Sequence, residues 1–521
     1  MNLSQTLKAV AFAWLLPLRS NAIEQSPLGV DLNAYQSDFG PSLISACFSA
    51  CHDLRADFRS QVTFYGEELY EAELSRFWSL QQSQTLPACI FLPESSHDVA
   101  SAVQIARRSN CHFAVKSGGH AAFSGASNSD GGLTINLAAM NDITVNEDRA
   151  TVSVGPGNRW VDVYRRLENL NRTVVGGRIA DVGVGGLTLG GGISFFSNMH
   201  GWACDNVASY EIITASGDVL TATPTSHKDL YWALRGGGNN FGIVTNFELH
   251  SYPQDRGLMW IGKLMHPGRR NATLIDSFVD FGLKGTDPSA TMLFSIVYLQ
   301  KQDDFVCVSE MDYAEPLADE VAYPAVYNAF FKVGGVIQET KSTKTIVSVI
   351  EDHSVSNPNG LRQSYWTATF RLNSALAREI TDIWTQVVNP IKQKVPGIVP
   401  VLTFQVITTS MMEHMGDRNG NVLGLEDEKE PLMLVALSAM WIDMTDDHIV
   451  LEAYSEWLAR SNARAHDLGL DHRYIYMNYA SQFQDPIRGY GAENVAKLQA
   501  IAEEYDPQRV FQRLQPGYFK L

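Results

Sequence analysis

The chain has 521 residues, 45% of them hydrophobic and 19% charged, which is the composition of a globular protein with a sizeable core rather than a disordered chain. Its 40 basic and 57 acidic residues give a formal net charge of −17, which argues against a nucleic-acid partner because such proteins concentrate lysine and arginine. No run of about eighteen apolar residues follows the N-terminal segment, so the sequence predicts no membrane partner.

Residues 1–22 are predicted to form a secretory signal peptide. Lys8 precedes the apolar run AVAFAWLLPL, and Ser20, Asn21 and Ala22 are small enough to suit peptidase cleavage. A buried N-terminal helix is the alternative, but the charge, the apolar stretch and the small residues follow one another in the order of a leader. The sequence therefore predicts a secreted protein.

Export would take the cysteines into an oxidising compartment, where they can pair, although the sequence does not decide among the possible pairings. No second Cys/His pair with ligand spacing accompanies them, so no metal site is predicted. Asn171 and Asn271 begin the triplets NRT and NAT, which are candidate glycosylation sites. The cysteines are Cys47, Cys51, Cys89, Cys111, Cys204 and Cys307.

Residues 85–254 alternate short apolar strands with helices and glycine turns. HDVASAVQIARRSN (97–110), WVDVYRRLENL (160–170) and KDLYWALRGGG (228–238) have the apolar spacing of helices. FAVK, LTINL, TVSV and GIVTNFELH are predicted strands, and YEIITASGDVLTA (210–222) is a predicted hairpin that turns at Ser-Gly-Asp.

From about residue 255 the pattern changes to longer strands and long amphipathic helices. TMLFSIVYL, YWTATFRL and LMLVALSAMW are predicted strands, and DDHIVLEAYSEWLARS (446–461) is a predicted helix. The pattern is α+β and indicates one antiparallel sheet backed by helices. NPNG (357–360) and GDRNGN (416–421) are the predicted exposed loops.

Three glycine-rich stretches lie in the first half: VKSGGHAAFSGASNSDGG (115–132), GVGGLTLGGG (183–192) and RGGGNNFGIVTNF (235–247). Because glycine has no side chain, such stretches expose main-chain amide groups and allow a pyrophosphate to approach them closely. A single cluster of this kind usually marks a tight turn, and none matches the P-loop of ATP-binding proteins. Three such clusters, one of which has His120 at the end of its Ser-Gly-Gly turn, indicate a large phosphate-bearing ligand.

These stretches, together with YMNYASQFQDPIRGYGAENVAKLQAIAEEYDPQRVFQ (476–512), resemble FAD-linked oxidases of the vanillyl-alcohol-oxidase, PCMH-type group. More narrowly, the chain resembles the berberine-bridge-enzyme-like branch in its secreted fungal form. The resemblance implies an α+β fold, in which a two-part PCMH-type FAD-binding domain joins a substrate domain with an antiparallel sheet backed by helices. The implied boundaries are 23–84 for the N-terminal part of the FAD domain, 85–254 for the PCMH-type part, 255–465 for the substrate domain and 466–521 for a segment that returns to the FAD domain.

The resemblance assigns a covalent cofactor to His120. In this family the histidine of the S-G-G-H turn bonds to the 8α carbon of FAD. Many members add a second link from a cysteine, but Ile179 stands at that position here, so a single histidyl link is implied. Val182 stands where the family gates oxygen, and valine there goes with oxidases. The other implied cofactor contacts are Lys116, Ser117, Gly118, Gly119, Ser124, Gly183, Gly185, Gly186, Gly190, Gly191, Gly192, Asp205, Asn206, Gly242, Ile243, Val244 and Asn478.

The implied reaction has two halves: a substrate C–H beside an alcohol or amine gives hydride to the flavin N5, and O2 then reoxidises the flavin to give H2O2. The family's Y-x-N-Y pattern falls on Tyr476, Asn478 and Tyr479 as the candidate catalytic residues. On a predicted strand Tyr476 and Asn478 share one face and Tyr479 takes the other. A tyrosine base needs a nearby positive charge or strong hydrogen bonds, and ordinary aromatic packing is the alternative for both tyrosines.

The resulting expectation is a secreted covalent-FAD oxidase of a small alcohol, amine or secondary metabolite. Two alternatives stay open: a carbohydrate oxidase, and a flavoprotein scaffold that guides an oxidative cyclisation. The substrate is not identified, because the resemblance fades over residues 255–465, where the family builds its substrate pocket.

Overall fold

The computed structural model describes residues 41–284, 287–318 and 320–521. The predicted signal peptide, residues 1–22, lies outside these ranges. Within them the chain folds into three sheets, two in the first half and one in the second. The described residues contain many helices, and two of the three sheets are antiparallel, which confirms the α+β prediction.

The first sheet has four strands in the order β1-β2-β4-β3, and β2, β4 and β3 run parallel to one another. Its strands and helices are β1 (Val62–Thr63), β2 (Cys89–Phe91), β3 (Phe113–Lys116), β4 (Leu133–Asn136), α1 (Pro41–Asp57), α2 (Glu68–Leu74), α3 (Leu80–Ser83) and α4 (Ser96–Ser109). Helix α4 begins where the Ser95 side chain accepts from the Asp98 amide and ends at Asn110 in the left-handed conformation.

Two disulfides tie α1 to this sheet, which answers the question that the sequence left open. Cys47 pairs with Cys111, just before β3, and Cys51 pairs with Cys89 at the start of β2. Cys204 and Cys307 are free thiols and both are buried.

The second sheet is antiparallel, and its long strand β10 pairs with β6, β7 and β8. The predicted hairpin is confirmed, since β8 pairs directly with β9. The elements are β5 (Ile143–Val145), β6 (Thr151–Val154), β7 (Arg172–Val174), β8 (Val207–Ile213), β9 (Val219–Ala222), β10 (Ile243–Pro253), α5 (Trp160–Glu168), α6 (Val184–Leu189), α7 (Ser197–His200) and α8 (Lys228–Leu234).

The third sheet has eight antiparallel strands in the order β14-β11-β13-β12-β16-β17-β15-β18, which confirms the prediction for the second half. One face buries a large apolar core that includes Phe294, Phe404 and Trp384, and helices α9, α12 and α14 supply part of this core. Because side chains alternate along a strand, the other face carries Lys263, Glu310, Asp312 and Gln405.

The strands and helices of this part are β11 (Leu258–Pro267), β12 (Ala290–Leu299), β13 (Asp304–Tyr313), β14 (Gln338–Thr345), β15 (Arg362–Arg371), β16 (Val399–Ile407), β17 (Leu432–Trp441), β18 (Asp471–His472), α9 (Asn271–Lys284), α10 (Asn328–Phe331), α11 (Ile346–Ser354), α12 (Ser374–Lys394), α13 (Thr409–Glu413) and α14 (Asp447–Asp467).

The C-terminal segment returns to the first half of the chain. Helices α15 (Ala492–Tyr505) and α16 (Val510–Arg513) precede a tail whose Leu514 carbonyl accepts from the Phe113 amide of β3 at 2.6 Å. The predicted strand through Tyr476 and Tyr479 is wrong. Residues Met477–Tyr479 form a 3-10 turn instead, in which the Tyr479 amide donates to the Tyr476 carbonyl and not to a neighbouring strand.

Candidate active site

His120 leaves the turn after β3 and packs face to face on Trp78. The turn uses Gly119 at φ +70°, a conformation that side-chain-bearing residues rarely adopt. The imidazole and indole ring centroids lie 4.2 Å apart with 10° between the ring planes. The His120 Nε2 atom is buried and has no hydrogen-bond partner. Burial lowers the pKa of His120 to about 4, so the imidazole is neutral at ordinary pH.

The glycines around this turn have two different roles. Gly118 and Gly183 let two turns touch through their main chains, since a Cβ on Gly118 would lie 2.6 Å from the Gly183 Cα. Ser117 reinforces the contact, because its Oγ accepts from the Gly185 amide at 3.1 Å. In contrast, a Cβ on Gly125 or Gly186 would meet no atom within 4 Å. Gly125 and Gly186 therefore border open space, and His120 Nε2 is unpartnered, and both observations fit an FAD that is bonded to His120.

Three of the implied cofactor contacts have their side chains occupied inside the protein. The Lys116 ammonium pairs with Glu73 at 3.4 Å in a buried position. Asp205 is fully buried and pairs with Arg235 at 2.7 Å. Burial raises the pKa of Asp205, although Arg235 opposes that shift. The Asn206 amide donates to two main-chain carbonyls. These side chains hold the loops of the site together, so at these three residues only the main-chain groups are left to contact a cofactor.

The remaining implied contacts lie in several places around the same region. Gly190 lies against Asn478, and Gly191 and Gly192 both adopt positive φ angles. Gly242 begins the segment that leads into β10, where Ile243 and Val244 are buried. Ser124 is exposed, and its Oγ lies 2.7 Å from the hydroxyl of Thr85. Val182 is half-buried and packs against the core of the first half.

Tyr476 is buried, and two hydrogen bonds hold its hydroxyl group in place. The phenol oxygen accepts from the Ile193 amide at 3.0 Å and from the Asn478 side-chain amide at 3.2 Å. Asn478 also donates to the Leu187 carbonyl at 3.0 Å. Burial raises the pKa of Tyr476, so it stays protonated and holds the loop after α6.

Tyr479 has a different environment because its hydroxyl meets a positive charge. The Arg178 Nη2 donates to the Tyr479 oxygen at 2.9 Å and to the Gln405 Oε1 at 2.9 Å. Tyr479 also stacks on Tyr365, whose ring in turn lies 5.9 Å from that of Trp78. A continuous row of aromatic rings therefore joins Tyr479 to His120.

The polar face of the third sheet supplies charged groups near Arg178. Glu310 pairs with Lys263 at 2.7 Å and with His353 at 3.1 Å, and His353 also contacts the Arg178 carbonyl at 3.1 Å. Burial alone would raise the pKa of Glu310, but His353 and Lys263 hold it below its usual value. Burial raises the pKa of Asp312 to about 6. An internal cavity of about 20 Å³, which has room for about one water, is lined by Arg178, Gln405 and Thr291 among others.

Sequence reasoning missed Trp78, Arg178, Tyr365 and Arg235. Arg178 immediately precedes Ile179, but an isolated arginine in a loop carries no pattern that reveals its partner. Among the described residues, no group of three or more His, Cys, Asp or Glu side chains is placed to hold a metal ion. In the same ranges no helix combines the length and apolar character needed to cross a membrane.

Residues 87–223 match the family model described as FAD binding domain. Over 519 aligned residues the chain is 36% identical to the FAD-dependent monooxygenase tpcD of Cochliobolus heterostrophus, with 94% of this chain and 98% of the relative covered. The chain belongs to the family of FAD-dependent oxidoreductases that includes this relative. It is also 34% identical to the bifunctional solanapyrone synthase of Alternaria solani, with 91% of this chain and 89% of the relative covered.

Among solved structures, this oxidoreductase resembles the glucooligosaccharide oxidase of Acremonium strictum, which carries a 6-S-cysteinyl, 8α-N1-histidyl FAD. The TM-score is 0.70 and the identity 21%, with 90% of this chain and 97% of the other covered. At this identity the likeness establishes the fold and not the substrate.

Proposed function

We propose that the protein is an oxidase that carries FAD on a single covalent link to His120 and oxidises a small secondary metabolite at a carbon that bears an alcohol or amine. The single observation that carries this proposal is the His120 imidazole, which is neutral at ordinary pH and whose Nε2 atom is buried without a hydrogen-bond partner. FAD bound there would accept hydride at N5 and pass the electrons to O2, which gives H2O2.

Tyr479 is the proposed base that takes the O–H or N–H proton of the substrate. A phenol is a weak base at neutral pH unless its negative form is stabilised. The Arg178 guanidinium donates to the Tyr479 oxygen, so a positive charge lies in direct contact with the proposed proton acceptor. Tyr476 is a positioning residue instead, because two donors hold its oxygen and burial raises its pKa.

Two features of the segment before α6 bear on the number of flavin links and on the oxidant. Residue 179 is an isoleucine, which has no thiol that could form a second bond to the flavin. The Val182 side chain is half-buried and small, which is consistent with access of O2 to the flavin. The names of the fungal relatives, among them a synthase of a named metabolite, favour a secondary metabolite as substrate over a sugar.

We also propose that the protein is exported. The two disulfides at α1 fit an oxidising compartment, where such bonds persist. Asn171 is exposed and Asn271 is half-buried at the start of α9, so the first is the more accessible glycan acceptor. N-terminal sequencing and glycan mapping of protein recovered from the culture medium test this proposal.

The deciding experiment is denaturation in acid followed by mass spectrometry. The wild-type polypeptide should keep its flavin on the peptide that contains His120, whereas His120→Ala should release any FAD it binds. A mature protein that carries no covalent flavin, although its host is well supplied with riboflavin, would contradict the proposal.

An anaerobic screen then identifies the reaction. Bleaching of the flavin absorbance by aromatic alcohols or polyketide-like compounds supports the proposal, and bleaching by oligosaccharides alone supports a carbohydrate oxidase. With ¹⁸O2, an oxidase releases labelled peroxide and leaves the product unlabelled, whereas a monooxygenase places the label in the product. Ligand binding that never reduces the flavin indicates a scaffold instead.

A further inference from the structure

We propose that Trp78 is a positioning residue for flavin attachment: its indole confines the His120 imidazole to one plane, and this restriction speeds the bonding of a ring nitrogen to FAD. This inference rests on the proposed covalent link and adds a residue that neither the glycine motifs nor the comparisons assign.

The stacking geometry restricts the imidazole. With 4.2 Å between the ring centroids and 10° between the planes, the indole covers one whole face of His120. Rotation of the imidazole out of this plane would drive its edge into the indole, so only orientations within the plane remain. Trp78 is itself only 3% exposed, which prevents water from replacing it.

Trp78 cannot move aside easily, because three main-chain groups fix it. Its amide donates to the Gly119 carbonyl at 3.1 Å, directly before His120 in the chain. Its indole Nε1 donates to the Asn357 carbonyl, and its own carbonyl accepts from the Gly360 amide, each at 3.1 Å. The NPNG loop of the second half and the S-G-G-H turn of the first half therefore hold one tryptophan between them.

The second observation is the His120 Nε2 atom, which is buried and has no hydrogen-bond partner. A buried nitrogen without a hydrogen bond is costly, and proteins keep such groups mainly where function uses them. The Nε2 atom therefore has no hydrogen bond to break before it reacts.

In the attachment step a bond forms between an imidazole nitrogen and the 8α carbon of FAD. A C–H bond of the 8α methyl breaks, the imidazole N–H proton is given up, and the electron pair remains on the flavin. The flavin is thereby reduced, and O2 takes up two electrons and two protons to become H2O2. Trp78 contributes orientation to this step and exchanges no atom.

The test compares Trp78→Phe, which keeps an aromatic face, with Trp78→Leu, which keeps only apolar bulk. Apoprotein from a riboflavin-auxotrophic host is mixed with FAD in air, and the covalent fraction is followed by intact mass, with the Kd of reversible binding measured at early times. We expect Trp78→Phe to attach FAD within about threefold of the wild-type rate and Trp78→Leu to be slower by about tenfold or more. The Kd should change by less than about threefold in both variants.

Trp384→Leu is the matched control, since it removes an equally buried tryptophan from the core of the third sheet. Its attachment rate should equal that of the wild type even if its melting temperature falls as far as that of Trp78→Leu. If the leucine variants do not fold, the tryptophan and phenylalanine forms of residue 78 are compared alone, and a drop of more than about tenfold in the phenylalanine form overturns the role of stacking.

Two results overturn the inference while the proposed function stands: wild-type attachment rates in Trp78→Leu, and an equal loss in the phenylalanine and leucine variants. Wild-type protein that binds FAD only reversibly would overturn the proposed function, and this inference with it.

Discussion

The glycines of the site separate into those that pack chain against chain and those that border open space, and alanine substitutions distinguish them. Gly118→Ala places a methyl group 2.6 Å from the Gly183 Cα, about 0.8 Å inside the 3.4 Å at which ordinary contacts begin. Both sides of this contact are backbone, so no side-chain rotation relieves it. We expect a loss of about 1–3 kcal/mol in the free energy of unfolding.

The same substitution should impair flavin attachment more than stability. Relief of the clash requires the S-G-G-H turn to shift by a substantial part of an ångström, and His120 shifts with it. Misplacement by about 1 Å can slow a reaction by about 100-fold. Intact mass after timed exposure to FAD measures attachment, and thermal unfolding of the apoprotein measures stability.

Gly186→Ala is the matched control for this reasoning. Its methyl group meets no atom within 4 Å, and Gly186 lies within helix α6, where alanine is favoured over glycine by about 0.5–1 kcal/mol. We expect an apoprotein at least as stable as the wild type, with weaker FAD binding because the methyl enters the open space. Unchanged attachment in Gly118→Ala, or a less stable Gly186→Ala apoprotein, would refute this division of roles.

Four further predictions follow from the site. Arg178→Met should slow anaerobic flavin reduction by about 100-fold, as should Tyr479→Phe, whereas Tyr476→Phe should change it by less than about tenfold; stopped-flow absorbance measures all three. Val182→Leu should slow reoxidation by O2 more than reduction by substrate, and equal slowing of both would count against an oxygen gate. Arg235→Met leaves the buried Asp205 carboxylate unpaired, so chemical denaturation should show a loss of about 3–5 kcal/mol. The pKa of His120 is about 4 in the folded protein, below its ordinary 6.5, so between these pH values the unfolded apoprotein binds a proton that the folded one does not. The free energy of unfolding should therefore fall as the pH drops from 6.5 to about 4. His120→Gln should remove this pH dependence, while Asp181 and Arg159, the charges that act on the His120 pKa, are present in the wild type and in the variant.

The sequence by itself determined much of the local structure and led to the proposal that His120 is the attachment residue. Apolar spacing predicted the helices at 97–110 and 160–170, and long apolar runs predicted three of the eight strands of the third sheet, β12, β15 and β17, because such patterns report which face of a segment is buried. The S-G-G-H turn allowed the family resemblance to single out His120 as the proposed attachment residue, since a turn and the residue that ends it are adjacent in the chain. The prediction of a strand at Tyr476 was wrong because the main-chain hydrogen bond of this segment forms within a turn and not with a neighbouring strand.

Only the tertiary structure decided which side chains work together. Arg178 and Tyr479 are 301 positions apart, and Trp78 and Asn357 are 279 apart, so no local pattern links them. The tertiary structure likewise determines the disulfide between Cys47 and Cys111 and the ion pair between Asp205 and Arg235. Local preferences fix the backbone of each segment, whereas these contacts depend on how three sheets and their helices stack, which is decided by the burial of distant faces against one another.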